Sequence, residues 1–167
     1  MFEEEDRDLV GTSLQVLQNC AFSEKGREEI SKKIEKLTKL VEVNHPLMLH
    51  SQVLSIMKNL CFDEKISIKI CSFVYNFLVN LIPIYLTKDS ELSKCLDCIY
   101  FLCLQDVNRE TVFLLFNPQF FEKVLSSSQN ESILDICQKI LSLFRWKTNP
   151  RKSLLFYFSS SIKYLFK

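Results

Sequence analysis

Glycine and proline are scarce in this sequence, with two glycines and four prolines among 167 residues. Because both residues interrupt helices, their scarcity argues against disorder and against turn-rich sheet architectures. Gly11 and Gly26 are also too few for the Gly-rich loop that cradles a phosphate group. Leucine, isoleucine, phenylalanine and lysine are common instead, and this composition predicts an all-α protein with short turns between its helices.

A large charge of one sign is also missing. The formal net charge is +1, which argues against binding to nucleic acid through a basic surface. The charges are unevenly placed, however, because residues 1–8 carry five acids and only Arg7 as a base, whereas residues 145–167 carry six basic residues and no acid. No secretory signal is visible where Met1 and Phe2 run into the acids, so we expect a cytoplasmic protein.

No arrangement of residues in the sequence suits catalysis. The two histidines, His45 and His50, are isolated in sequence, and no nucleophile is accompanied by a base and an orienting group. We therefore expect that the protein is not an enzyme and that it requires no cofactor.

The seven cysteines are an odd number and stand at apolar helical positions. This pattern is typical of buried, unpaired thiols in a reducing compartment and not of a disulfide framework. Cys95 and Cys98 have the spacing of half a zinc site, but no second pair of cysteines or histidines follows at a matching distance. We expect these thiols to pack in the core and no metal to be bound.

The main pattern in the sequence is an internal repeat. Residues 54–65 closely repeat residues 14–25, forty positions earlier. Weaker echoes follow at residues 96–104 and 137–144, displaced by forty-two and forty-one positions. Apolar helical segments that recur with a period near forty are typical of stacked helical repeats.

Apolar periodicity predicts the long helices, which cover residues 8–21, 27–43, 46–61, 66–86 and 131–145, and a further helix that Asp89 or Ser90 caps and that ends at Leu104. The fourth of these is long enough to be confused with a membrane span. Lys69, Asn76, Asn80 and Pro83 interrupt it, however, so we predict a buried helix that breaks near Pro83.

The repeated segments resemble the armadillo repeat. Its third helix ends in a pattern of the form Leu-x-Asn-Leu-Ala, and residues 57–61 and 17–21 are close to that pattern. The start of the next repeat resembles residues 27–30 and 109–112, which lie eighty-two positions apart. Residues 117–125 are similar to the element that follows.

The resemblance covers residues 8–145 and implies a right-handed α-solenoid of about four armadillo- or HEAT-like repeats over residues 1–147. It also implies a non-enzymatic scaffold for protein–protein interaction. Within the family, the Asn-Leu-Cys-Phe stretch is similar to rotatin-like armadillo domains, which are associated with the centriole. A cytoplasmic role in assembly of the centriole or centrosome is therefore expected.

The resemblance also points to a binding surface. Importin-type members use an asparagine near the end of each third helix to clamp an extended peptide, with a tryptophan one turn earlier. The asparagine positions here hold Asn19, Asn59, Phe101 and Ser142. The tryptophan positions hold Gln15, Ser55, Asp97 and Gln138. Because every tryptophan is missing, nuclear-signal binding is not implied, and the two asparagines either bind a partner or cap their helix ends.

Residues 148–167 form a final segment that is both basic and apolar nearly all round. Three interpretations stay open: a last helix packed on the array, a segment that binds a protein partner or a second copy, and a membrane-surface adaptor. In the partner-binding interpretation, the residues involved are Arg151, Lys152, Leu155, Phe156, Phe158 and Tyr164.

Overall fold

The computed structural model describes residues 4–41 and 47–145, and every regular element in these residues is an α-helix. The all-α prediction is therefore confirmed for this part of the chain. The helices are α1 (Glu4–Cys20), α2 (Glu24–Ser31), α3 (Ile34–Lys39), α4 (Leu47–Phe62), α5 (Glu64–Tyr85), α6 (Asp89–Leu104), α7 (Asp106–Leu115), α8 (Pro118–Ser127) and α9 (Glu131–Arg145).

Four long helices form a row in which each contacts the next. Helix α1 packs against α4, α4 against α6, and α6 against α9. The remaining helices pack beside this row: α5 contacts both α4 and α6, α7 contacts α6, and α8 contacts α9. The main core therefore lies between the row and the helices beside it, with further apolar contacts between neighbouring members of the row.

The positions at which helices begin repeat with the period found in the sequence. The helices that follow the first three members of the row begin at Glu24, Glu64 and Asp106, which are forty and forty-two residues apart. Side chains close the first two turns in the same way, because Ser23 and Asp63 each accept a hydrogen bond from a backbone N–H three residues later. The register taken from the sequence is thus also present in the helix boundaries.

Neighbouring members of the row are joined by equivalent hydrogen bonds. Gln52 of α4 donates from Nε2 to the carbonyl oxygen of Gly11 in α1, at 3.2 Å. One repeat later, Lys94 of α6 donates to the hydroxyl of Ser51 in α4. Donors and acceptors occupy matching positions in the repeat, so α4 sits on α1 much as α6 sits on α4.

Two arginines stabilise the ends of long helices. Arg27 donates to the carbonyl oxygens of Ala21 (3.3 Å) and Phe22 (3.0 Å), just beyond the end of α1. Arg109 donates to the carbonyl oxygens of Cys103 (2.8 Å) and Leu104 (3.4 Å), at the end of α6. These carbonyls have no partner inside the helix and carry its negative dipole end, so a guanidinium group satisfies and stabilises them.

Gly26 is required by the close approach of α2 to the end of α1. A Cβ atom at this position would lie 2.0 Å from the carbonyl oxygen of Cys20, which is backbone and has little freedom to move. Only glycine therefore allows the tight turn between these two helices.

Helix α5 runs unbroken through Pro83, so the predicted break is wrong. Pro83 is exposed, and so is Val79, the residue four positions earlier whose carbonyl loses its helical partner. Water can satisfy that carbonyl, which explains why the helix continues. By length and composition alone α5 could cross a membrane, and 44% of its apolar stretch is buried in the protein. Five of its exposed polar residues fall on one stripe, which favours a helix that faces water: Lys65, Lys69, Ser72, Asn76 and Asn80.

One other sequence prediction needs correction. Residues 27–43 do not form one helix, because the chain leaves helical geometry at Lys33 and forms α2 and α3 instead.

The repeat places Leu17, Met57 and Ile99 at matching positions of α1, α4 and α6. Met57 and Ile99 are fully buried, whereas Leu17 is half-buried. Met57→Ala is expected to lower the free energy of unfolding by about 2–5 kcal/mol, because it leaves a cavity in the core. Denaturant melts measure this loss. Val107→Ala, at an exposed valine of α7, is the control and should change stability by less than about 0.5 kcal/mol. An equally small effect of Met57→Ala would show that the register is wrong.

Candidate functional site

The row of long helices presents one side to solvent, and three of the residues predicted to bind a partner lie there. Asn19 is in the last turn of α1, Asn59 in the last turn of α4 and Phe101 in the last turn of α6. Asn19 is exposed, and the other two are half-buried. The repeat therefore gives these three side chains equivalent places on consecutive helices.

Neither asparagine caps a helix end through its side chain. Within the described residues, the side chains of Asn19 and Asn59 make no hydrogen bond. The end of α1 is instead stabilised by Arg27, as described above. The capping interpretation is thus not supported, and both amides are available to a ligand.

Large apolar side chains lie at equivalent positions next to the asparagines. Phe22 is 70% exposed and Phe62 is 65% exposed, and Leu104 takes the same place in the next repeat. Phe22 and Phe62 occupy equivalent positions of the repeat, but their exposure was not predicted. Both directly precede a polar turn, which does not by itself show whether a side chain is exposed.

Contacts between aromatic rings join these apolar side chains across α4 and α6. The ring of Phe62 meets that of Phe101 edge to face, with centroids 5.4 Å apart. The ring of Tyr100 lies 5.5 Å from that of Phe101. We call these side chains the apolar strip, which runs from the end of α1 over α4 and α6: Phe22, Phe62, Tyr100, Phe101 and Leu104.

The positions that hold tryptophan in importin-type members are polar here. Asp97 forms an ion pair with Lys58, at 2.6 Å, which bridges α6 and α4. Gln15 and Gln138 are exposed and Ser55 is half-buried. An ion pair and polar side chains cannot form the aromatic slots that hold lysine stems, so the surface suits a different ligand from a nuclear signal.

The remaining predicted partner-binding residues lie outside the described residues. They are Arg151, Lys152, Leu155, Phe156, Phe158 and Tyr164. Their role stays a prediction.

The cysteines are unpaired, and six of the seven are buried: Cys61, Cys71, Cys95, Cys98, Cys103 and Cys137. Within residues 4–41 and 47–145, no group of three or more histidine, cysteine or acidic side chains could hold a metal ion. The thiol of Cys98 makes a long contact, 3.9 Å, with the carbonyl oxygen of Leu54. The buried thiols thus pack as small apolar groups between helices.

Burial raises the pKa of several of these thiols, because a thiolate is poorly solvated in an apolar core. The pKa rises to about 12 for Cys103 and Cys137, and well above its ordinary value for Cys61 and Cys95. Burial also raises the pKa of the Tyr85 hydroxyl, which contacts Nδ1 of the buried His50. These thiols are therefore neutral and unreactive at physiological pH.

No protein-family model and no curated protein sequence matches the chain.

Stability is expected to fall as the pH rises above about 9. The unfolded chain releases its thiol protons at a pKa near 9.0, whereas the folded chain holds those of Cys103 and Cys137 to about 12. The stability that these protonated thiols contribute is therefore fully present below pH 9. It is lost between about pH 9 and 12, at about 1.4 kcal/mol per pH unit for each such thiol. Thermal melts under reducing conditions measure the slope. Cys103→Ala should make it shallower by one group, and a flat profile would contradict the prediction.

Proposed function

We propose that this chain is a non-enzymatic scaffold for protein–protein interaction, in which armadillo-like repeats stack into a right-handed α-solenoid. The proposal is supported by repeated features at matching positions: the helix starts at Glu24, Glu64 and Asp106, the hydrogen bonds from Gln52 and Lys94, and the arginines at the helix ends. A stack of equivalent helices offers a repeating surface, which is how such arrays bind extended partners.

The observation that carries the proposal is the surface strip on α1, α4 and α6. Exposed apolar side chains recur there at Phe22, Phe62 and Leu104, beside Asn19 and Asn59 with their free amides. Large apolar side chains exposed at one repeated position cost solubility and add nothing to the core, so binding is their best explanation. The asparagine amides can bond to the backbone of a ligand and fix its register.

The spacing of the strip suggests the shape of the ligand. Packed helices lie about 8–10 Å apart, and an extended chain advances about 3.3 Å per residue. An extended segment that crosses the row would therefore place an apolar side chain near Phe22, Phe62 and Leu104 at about every third residue. Lys58 and Asp97 neutralise each other on this surface, so the ligand needs no strong charge.

Phe62→Ser is expected to abolish or strongly weaken partner binding while leaving stability nearly unchanged, because its ring is mostly exposed. Crosslinking pull-downs with the intact chain, followed by mapping of the crosslinked residues, measure the effect. Crosslinks from the wild type should concentrate on the exposed sides of α1, α4 and α6.

Phe73→Ser on α5 is the matched control, since Phe73 is 48% exposed but lies outside the strip. It should leave binding intact. A partner that is lost with Phe73→Ser and kept with Phe62→Ser would contradict the proposed site.

The similarity of residues 59–62, Asn-Leu-Cys-Phe, to rotatin-like domains makes the centriole the proposed location. Fluorescence microscopy of the tagged chain is expected to show centriolar spots, and Phe62→Ser should disperse them if the strip recruits the protein. A uniform cytoplasmic signal from the wild-type chain would contradict this location and leave the scaffold proposal to the binding experiment.

A further inference from the structure

One side of α1 is exposed, although the equivalent sides of α4 and α6 are buried. Leu9, Ser13, Val16 and Cys20 lie at spacings of four, three and four residues and so share one face of the helix. All four are exposed, with Leu9 at 67% and Val16 at 56%. We call this side the free face of α1.

The equivalent face of α4 is completely buried. Forty residues later, the same four positions hold Leu49, Val53, Ile56 and Leu60, each exposed by 3% or less. Gln52, on this side of α4, donates to the backbone of α1. The face is therefore the one with which a long helix packs on the preceding member of the row.

The pattern recurs in α6. Cys95, Cys98 and Leu102 are fully buried there, and Lys94 on the same side bonds to Ser51 of α4. Two of the three equivalent faces are thus covered by a helix of the preceding repeat, and the third, on α1, is free.

We propose that the free face of α1 binds residues 151–167 of a second copy of this chain. The inference is independent of the strip proposed above, which occupies another side of the row. It makes the chain a self-associating unit in which one end of the array accepts the tail that follows the other end.

The chemistry of the segment suits the face. Residues 151–167 include nine large apolar residues together with Arg151, Lys152, Lys163 and Lys167. They are seventeen residues, the length of α1, so a helix of this sequence could cover the face from end to end. Residues 1–8 carry five acids in the sequence, four of them within α1 (Glu4, Glu5, Asp6 and Asp8), and these would attract the basic residues.

The segment of the same molecule cannot reach this face as a helix. Helices α4 and α6 lie between α1 and α9, so the distance from α9 to the far side of α1 is roughly 30 Å or more. Residues 146–150 extend at most about 18 Å. A second copy must therefore supply the segment, and the contact is head to tail, so it grows open chains unless the rotation closes a ring.

Sedimentation velocity of the full chain over a range of micromolar concentrations tests the proposal. The wild type should form dimers and longer species that shrink as salt is added, because the charge attraction is screened. Val16→Asp should raise the dissociation constant at least tenfold. Val107→Asp is the matched control, an equally accessible valine on α7 at 70% exposure, and should associate like the wild type.

Mixing two variants identifies the binding mode. Phe158→Asp alters the segment and leaves the free face intact, so it and Val16→Asp should each be monomeric alone and should form a one-to-one dimer when mixed. Association of Phe158→Asp alone would show that two free faces bind each other. Association of Val16→Asp alone would show that two segments do so, and either result would overturn the proposal.

A measurement of folding and a second variant of the segment complete the experiment. Thermal melts establish that each variant is folded, and Arg151→Glu with Lys152→Glu replaces Phe158→Asp if that variant unfolds. A wild-type chain that stays monomeric at all concentrations and salt levels would reject self-association while leaving the partner strip untouched.

Discussion

The structure depends on one constraint: a long helix in this chain has apolar residues on more sides than the other helices of its own repeat can bury. Helix α4 buries one side against α1, another against α6 and a third against α5. Removing any of these neighbours would expose a face of several large aliphatic residues to water, at a cost of about 25 cal/mol for each Å². Stability is therefore shared along the row, and no single repeat is expected to be stable by itself.

The polar contacts set the register of this stack. Arg27 illustrates this, because its guanidinium group joins the end of α1 to Asp63, the residue that caps α5, with Nε to Oδ2 at 3.1 Å. Lys58 and Asp97 join α4 to α6 in a similar way. Such bonds contribute little net energy compared with the buried apolar area, but they hold only when the helices are correctly aligned. Apolar packing alone would tolerate a slip of one turn.

The sequence predicted the period, the all-α class and most helix boundaries, because apolar residues at helical spacing are a local signal. It did not predict the division of residues 24–39 into two helices, since no proline or glycine marks Lys33. The sequence also did not predict the arginine contacts, because the hydrogen bond from Arg109 to the carbonyl oxygen of Cys103 depends on how two helices pack. For the proposed site, the repeat predicted Asn19 and Asn59. Phe62 was added because it is exposed, and exposure is a property of the packed structure.

The packing of α4 against three neighbours also determines which of its residues can contact a ligand. With sides committed to α1, α5 and α6, the positions left towards solvent near its end are Ser55, Asn59 and Phe62. Substitutions there change the surface without opening the core, whereas changes at Ile56 or Met57 disturb packing between helices. Because equivalent positions recur at α1, α4 and α6, a ligand that contacts them must follow the direction of the stack. The constraint that builds the fold therefore also fixes the orientation of anything that binds along it.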